Sequence, residues 1–361
     1  MLVLVSATID PKAYARPFIV TDSIVFLTNG NLQNVKLRAW GQDAHFITDS
    51  ILSGQITWTN DKPYVITRDI ILDSLASLTI QAGCSIYFDN FRYLFVEGNL
   101  KVEGEPENPV FFTNSRLDIQ DVAGLWGGIW FFEGSKDNLL RHAVVQNAIY
   151  PIALYTFDED TIPDLVIENS KIQNAIGDVL LAINADLYAE NSLFADGGNS
   201  LMIVLGGGNC TFNYCTFANY FFRRENPSLI LSDFAGLFDN ENNQIGAIQN
   251  DANINFNNSI IYGSFREELA IGDSTANPFE VNVNFNNSII RTQNTQFTNL
   301  DLANKDPLFV NPDLLNYGID SLSPAVDQGN NIILIDLKGN DRDNLPDLGA
   351  YEWLPETSEI D

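Results

Sequence analysis

Basic charge is scarce in this chain: 19 Lys plus Arg stand against 47 Asp plus Glu, and His45 and His142 are the only histidines. The formal net charge of −28 repels nucleic acid and anionic membranes, which proteins bind through Lys and Arg, so no nucleic-acid partner is expected. Cysteine is equally sparse. Cys84, Cys210 and Cys215 are too few for a disulfide framework, and they form no CxxC metal pattern. Cys84 sits between apolar positions in LTIQAGCSIYF and reads as a core thiol; Cys210 and Cys215 pair only if a turn brings them together. No apolar run reaches the roughly 18 residues of a membrane helix, so no transmembrane segment is expected. Helical periodicity is also rare. Phosphate loops, dinucleotide fingerprints and Ser or Cys nucleophile motifs are absent, and Gly206-Gly-Gly208 is a turn with no helix after it.

What the chain does have is apolar bulk and period-two alternation. It is 45% hydrophobic with 24 Phe, enough for a large core and too much for disorder. Short alternating runs recur, such as Ser77–Ile80, Ser85–Phe88, Tyr93–Val96 and Leu100–Val102, each followed by a Gly or Asn turn. This pattern predicts many short strands. The run Asn253-Ile-Asn-Phe-Asn-Asn-Ser-Ile-Ile261 returns 29 residues later as Asn282-Val-Asn-Phe-Asn-Asn-Ser-Ile-Ile290. Weaker copies precede it at Val145-Gln-Asn-Ala, Ile172-Gln-Asn-Ala, Asn191-Ser-Leu-Phe-Ala-Asp-Gly and Cys215-Thr-Phe-Ala-Asn.

A helix-free repeat of 20–30 residues selects an all-β solenoid, a single-stranded right-handed parallel β-helix of the pectin-lyase-like kind. No coil can bury its apolar face alone, so stacked coils share one core. Ile254, Phe256, Val283 and Phe285 are expected to point inward. Asn257, Asn258, Asn286 and Asn287 are expected to form amide ladders at turns, since Asn tolerates left-handed backbone geometry. Both Asn-Asn-Ser triplets match the glycosylation acceptor pattern, but the ladder already accounts for them. Residues 1–52 have a different texture and are read as a small N-terminal β cap, residues 53–305 as the β-helix, and the proline-rich residues 306–361 as a C-terminal capping segment.

These residues carry a family resemblance. Leu78-Thr-Ile-Gln-Ala-Gly-Cys-Ser-Ile-Tyr-Phe, Leu94-Phe-Val-Glu-Gly-Asn-Leu-Lys-Val-Glu-Gly and Trp126-Gly-Gly-Ile resemble bacterial right-handed β-helix proteins of the Gram-negative surface-lipoprotein type. The closing run of Asp306-Pro-Leu-Phe-Val-Asn-Pro, Ser323-Pro-Ala-Val-Asp-Gln-Gly and Asp347-Leu-Gly-Ala-Tyr-Glu-Trp is similar to the end module of surface β-helices. The resemblance covers about residues 55–353 and implies a secreted or outer-membrane location. It also implies a polysaccharide or surface-protein partner, as for an accessory subunit of an outer-membrane complex. The lipobox Cys of that type is missing, so membrane association is expected only through a lipid anchor upstream of Met1.

The candidate chemistry is thin. A polysaccharide lyase or glycoside hydrolase acting on an acidic glycan needs converging carboxylates or a base with a charge neutraliser. The nearest candidates are Asp158 and Asp160, in a loop, and Arg223. For ligand binding the candidates are Trp126, Trp130 and Tyr220, as sugar-stacking rings, with Arg223 and Arg224 as the most concentrated basic spot. Asp341, Asp343 and Asp347, near Asp336, faintly resemble a Ca²⁺ loop; the bland alternative is a turn whose carboxylates hold backbone amides. His142 reads as structural, and His45 shows no partner in sequence. The expectation is a non-enzymatic glycan- or protein-binding β-helix, with the lyase or hydrolase as the alternative.

Overall fold

The computed structural model describes residues 18–41, 43–116, 119, 121–157, 162–239, 241–272, 278–330 and 333–355. The chain winds repeatedly through three parallel sheets. Sheet 1 has ten strands, from His45–Ile47 to Ile289–Ile290; sheet 2 has nine, from Ile51–Leu52 to Leu269–Gly272; sheet 3 has nine, from Gln55–Trp58 to Val281–Asn286. Each complete coil contributes one strand to each sheet in the order 1, 2, 3, and the molecule is a right-handed parallel β-helix. The first coil begins at His45, so the strands His45–Ile47 and Ile51–Leu52 belong to the solenoid rather than to the segment before it. That leading segment holds an antiparallel hairpin, Phe18–Thr28 with Asn31–Gly41.

The repeat sets the stacking. Asn253–Asn257 pairs position for position with Asn282–Asn286, Val145 with Ile172, and Phe194 with Phe217. Ile254 and Phe256 are fully buried, and Val283 and Phe285 nearly so. Phe256 stacks between Phe212 and Phe285 at centroid distances of 5.1 and 5.2 Å. One continuous core runs from Trp58 to Phe297, and Phe297 closes its far end edge-on to Phe285 at 5.1 Å. All three cysteines are free and buried. Burial pushes the Cys84 thiol up to about 11 and those of Cys210 and Cys215 up to about 12, so they act as small core hydrophobes.

The tight corner between sheets 3 and 1 explains the Asn-Ser pairs. Asn169, Asn191, Asn258 and Asn287 all sit there with φ near +50°, and their amides stack between coils: Asn191 Nδ2 donates to Asn169 Oδ1 (2.6 Å) and Asn287 Nδ2 to Asn258 Oδ1 (2.9 Å). Asn286, Asn257 and Asn213 form a second ladder one residue earlier. The serines that follow form a third, which sequence reasoning missed: the backbone N–H of Ser170 donates to Ser192 Oγ and that of Ser259 to Ser288 Oγ, both at 3.0 Å. His142 occupies the same left-handed corner position (φ 45°), a structural place.

The C-terminal segment does not close the end of the solenoid. It lies as a strap along the outer face of sheet 1, where Tyr317, Ile319, Ala325, Leu337, Leu348, Ala350 and Tyr351 cover Leu193, Ala195, Ala218, Ile260, Tyr262 and Ile289. The buried Arg342 fastens it, donating to Asn191 Oδ1, Glu352 and the Asp347 and Gly349 carbonyls and lying over Tyr214. Tyr317 donates its hydroxyl to the buried Asp196.

Two outcomes follow from this packing. Phe256→Ala leaves a cavity in the ring stack and lowers unfolding stability by about 3–5 kcal/mol in urea titration. Burial raises the Asp196 carboxyl from 3.8 to about 6, so the folded protein holds its proton more tightly than the unfolded chain does. That stabilisation is complete below the unfolded value and is lost as pH rises through about 6. Asp196→Asn therefore removes on the order of 2 kcal/mol of the stability decline between pH 4 and 7, read as a flatter urea midpoint against pH than in the parent.

Candidate functional site

Period-two alternation divides each sheet 2 strand between core and outside. In Tyr93–Val96, Leu94 and Val96 are buried while Tyr93 and Phe95 face out; in Gly128–Phe132, Ile129 and Phe131 are buried while Trp130 and Phe132 face out. Stacking in register then gathers the outer rings. Phe95 pairs with Trp130, and Phe132 with Tyr155 of the next coil. Tyr93 lies 5.4 Å from Phe95 and 4.9 Å from Trp130; Trp130 lies 5.7 Å from Tyr155, and Phe132 stacks on Tyr155 at 5.7 Å. Tyr150 and Phe157 extend the patch at 6.4 Å each. The five central rings are half-buried and Phe157 is exposed.

Glycine makes room for this patch. A Cβ on Gly127 would come within 2.3 Å of the Tyr93 ring, so Tyr93 lies flat on the backbone only because residue 127 has no side chain. Burial raises the Tyr93 and Tyr155 hydroxyls above their ordinary value, keeping both rings neutral. Two shielded donors at this patch, Trp130 Nε1 and Arg92 Nε, have no hydrogen-bond partner. Arg92 keeps a long ion pair to Asp69 (3.8 Å).

The expected site residues fare differently. Trp130 stands at the centre of the patch. Trp126 does not belong to it: it is fully buried, stacks on Phe88 at 4.3 Å and donates Nε1–H to the Gln146 carbonyl at 2.7 Å. Its place at the corner before the strand, rather than on the strand, turns it into the core. Tyr220 lies under the strap against Phe309 and Tyr317, both 6.2 Å away, so it packs an internal seam. Arg224 is buried in an ion pair with Glu268, with Nη1 2.6 Å from Oε2, and its guanidinium lies over Phe265. It ties two connections together and is not offered to a ligand. Arg223 is exposed over Phe222.

Asp158 and Asp160 lie outside the described residues. Arg223 lies on the connection from sheet 1 to sheet 2. Asp341, Asp343 and Asp347 do not converge. Asp347 is buried and accepts from the Asp327 and Trp353 backbone amides, Asp343 accepts from that of Leu345, and Asp341 is exposed. Asp336 likewise holds the Lys338 and Asn340 amides, the turn-capping arrangement. Among the described residues, no three His, Cys, Asp or Glu side chains are grouped to hold a metal. His45 does have partners: Asp61 at 3.0 Å and the face of Tyr64 at 4.9 Å.

Sequence reasoning missed Tyr93, Phe95, Tyr150 and Tyr155. The signal was present for Tyr93-Leu-Phe-Val, where both rings fall on one face of a strand, but its junction with Trp130 required the coil register. A second recess is an open cleft of about 730 Å³ at the corner between sheets 3 and 1, lined by Gln81, Glu103, Glu105, Asn108, Arg141 and His142 among others. Burial lowers the His142 imidazole below its ordinary value.

A family model matches part of the chain and agrees with the fold. The pectate-lyase-like β-helix domain family matches residues 49–148, which hold Tyr93, Phe95, Trp130 and Phe132. Among solved structures, the chain is similar to pectate lyase Pel9A at 11% identity, with 86% of each chain covered and a TM-score of 0.39. No curated protein sequence matches. The chain is a parallel β-helix repeat protein.

Gly127→Ala is expected to push Tyr93 off the backbone and disperse the rings. Near-ultraviolet circular dichroism and Trp fluorescence then change, while the far-ultraviolet β signal is retained.

Proposed function

We propose that this protein is a non-enzymatic, cell-surface or secreted β-helix that binds glycan on the outer face of sheet 2. The reading is carried by Tyr93, Phe95, Trp130, Phe132 and Tyr155, five rings that three consecutive coils present half-exposed on one face. Aromatic faces bury the apolar C–H faces of sugar rings, while hydroxyls at the sugar's edges stay hydrated or find donors. The unsatisfied Trp130 and Arg92 donors support a binding site, since such groups cost about 1–3 kcal/mol each and are ordinarily paired. The resemblance to surface β-helices supports the location.

The test is affinity electrophoresis and a glycan array with the intact chain, beside an ultraviolet assay for unsaturated uronates and a reducing-end assay, each with Ca²⁺ and with EDTA. Retention without turnover is expected, with Trp130→Ala weakening it at least about tenfold, or roughly 1.4 kcal/mol. Turnover would replace this reading with the lyase or hydrolase and direct mutagenesis to Arg223 and the acidic loop. Retention unchanged in Trp130→Ala would remove the aromatic patch as the site.

A further inference from the structure

The apolar character of sheet 2 continues well past the aromatic patch. In register with Phe95 stand Ile71 on the preceding coil and Trp130 on the following one. The row goes on through Ala153, Leu181, Ile203, Ile230 and Ala270. A parallel outward row holds Phe132, Tyr155, Ile183 and Leu205. The alternate residues of these strands, among them Leu94, Ile129, Leu180 and Met202, already fill the core. The strands of sheet 2 are therefore apolar on both faces, the pattern of strands covered on both sides.

The other two sheets show what each kind of outer face means here. That of sheet 3 carries Thr57, Thr79, Lys101, Thr211, Asn255 and Asn284 along its central row, interrupted by Leu139, Val166 and Tyr188, and is largely polar. That of sheet 1 is apolar under the C-terminal strap. Sheet 2 matches the strap-covered face in composition, yet its outward residues, apart from the fully buried Ala153, are only half-buried.

We infer that the outer face of sheet 2 is a track for a neutral, flat, equatorially linked polysaccharide lying along the solenoid axis, a conclusion that rests on the glycan-binding reading above. Charge selects the neutral occupant. The chain carries −28 overall, and the row from Ile71 to Ala270 contains no basic side chain to offset a polyuronate and no acidic one to hold a polycation. Shape selects the ribbon. Eight rungs about 4.8 Å apart give a straight floor on the order of 34 Å long, which admits roughly one pyranose per rung and does not fit a coiled glucan. Aromatic rings grip one end, and Leu181, Ile203 and Ile230 supply apolar contact further along.

The test uses the full chain in calorimetric titration against neutral β-1,4-linked glucan, mannan and xylan oligomers of roughly four and roughly eight units, with amylose and polygalacturonate alongside. The longer oligomer of at least one neutral series is expected to bind about tenfold more tightly than the shorter. Ile203→Asn, three coils beyond Trp130, weakens the long oligomer at least about fivefold and leaves the short one unchanged; Trp130→Ala weakens both. If Ile203→Asn lowers the melting temperature, Leu205→Asn on the neighbouring row replaces it. Affinity independent of length, or preference for polygalacturonate or amylose that still depends on Trp130, overturns the track and leaves glycan binding standing. Binding to none of these glycans, or to a protein alone, overturns both.

Discussion

Coils stacked at the spacing of a backbone hydrogen bond are the constraint on which this molecule depends. In a parallel β-helix each strand pairs only with its counterparts one coil before and after, so a side chain facing out in one coil is followed by another facing out in the next. The same rule produces the Phe212–Phe256–Phe285 stack inside, the Asn and Ser ladders at the corner, and the row from Ile71 to Ala270 outside. A substitution at one position is therefore felt by two neighbours of the same kind. Breaks in a row are correspondingly informative: Tyr214 interrupts the corner Asn series, and there the strap's Arg342 docks.

The three outer faces have three fates. Sheet 3 is largely polar and meets water. Sheet 1 is apolar and meets the strap, which is held by Arg342 and by Asp196 with Tyr317. Sheet 2 is apolar, aromatic at one end, and half-exposed. The row along its centre carries no charged side chain, so the acidic balance of the chain lies outside it. The cleft near His142 is chemically different: Arg141 there is engaged by Glu168 at 2.6 Å, and the Glu103 and Glu105 carboxylates leave it acidic.

Sequence reasoning succeeded where local pattern and tertiary environment coincide. The inward Ile254 and Phe256, the Asn ladders and the buried Cys84 all follow from alternation or from the preference of Asn for left-handed turns. It failed where a residue's partner comes from a distant coil or from the strap. Arg224 reads as part of a basic spot open to a ligand, yet it reaches Glu268 in the next coil. Tyr220 reads as a surface ring, yet a strap nearly a hundred residues later covers it. Trp126 and Trp130 read as one group, and the corner between them sends one ring into the core and the other out.

By itself the sequence determined the fold class, since a helix-free repeat of short alternating strands with Asn turns can bury its apolar residues only by stacking coils. It also determined the acidic balance that disfavours nucleic acid. Only the tertiary structure decided which aromatics share a surface, because Tyr93, Trp130 and Tyr155 meet solely through coil register, and a shift of one residue would turn each of them inward. The tertiary structure likewise decided that the proline-rich tail is a lateral strap, because what it covers, from Leu193 to Ile289, becomes a continuous face only after four coils have been stacked.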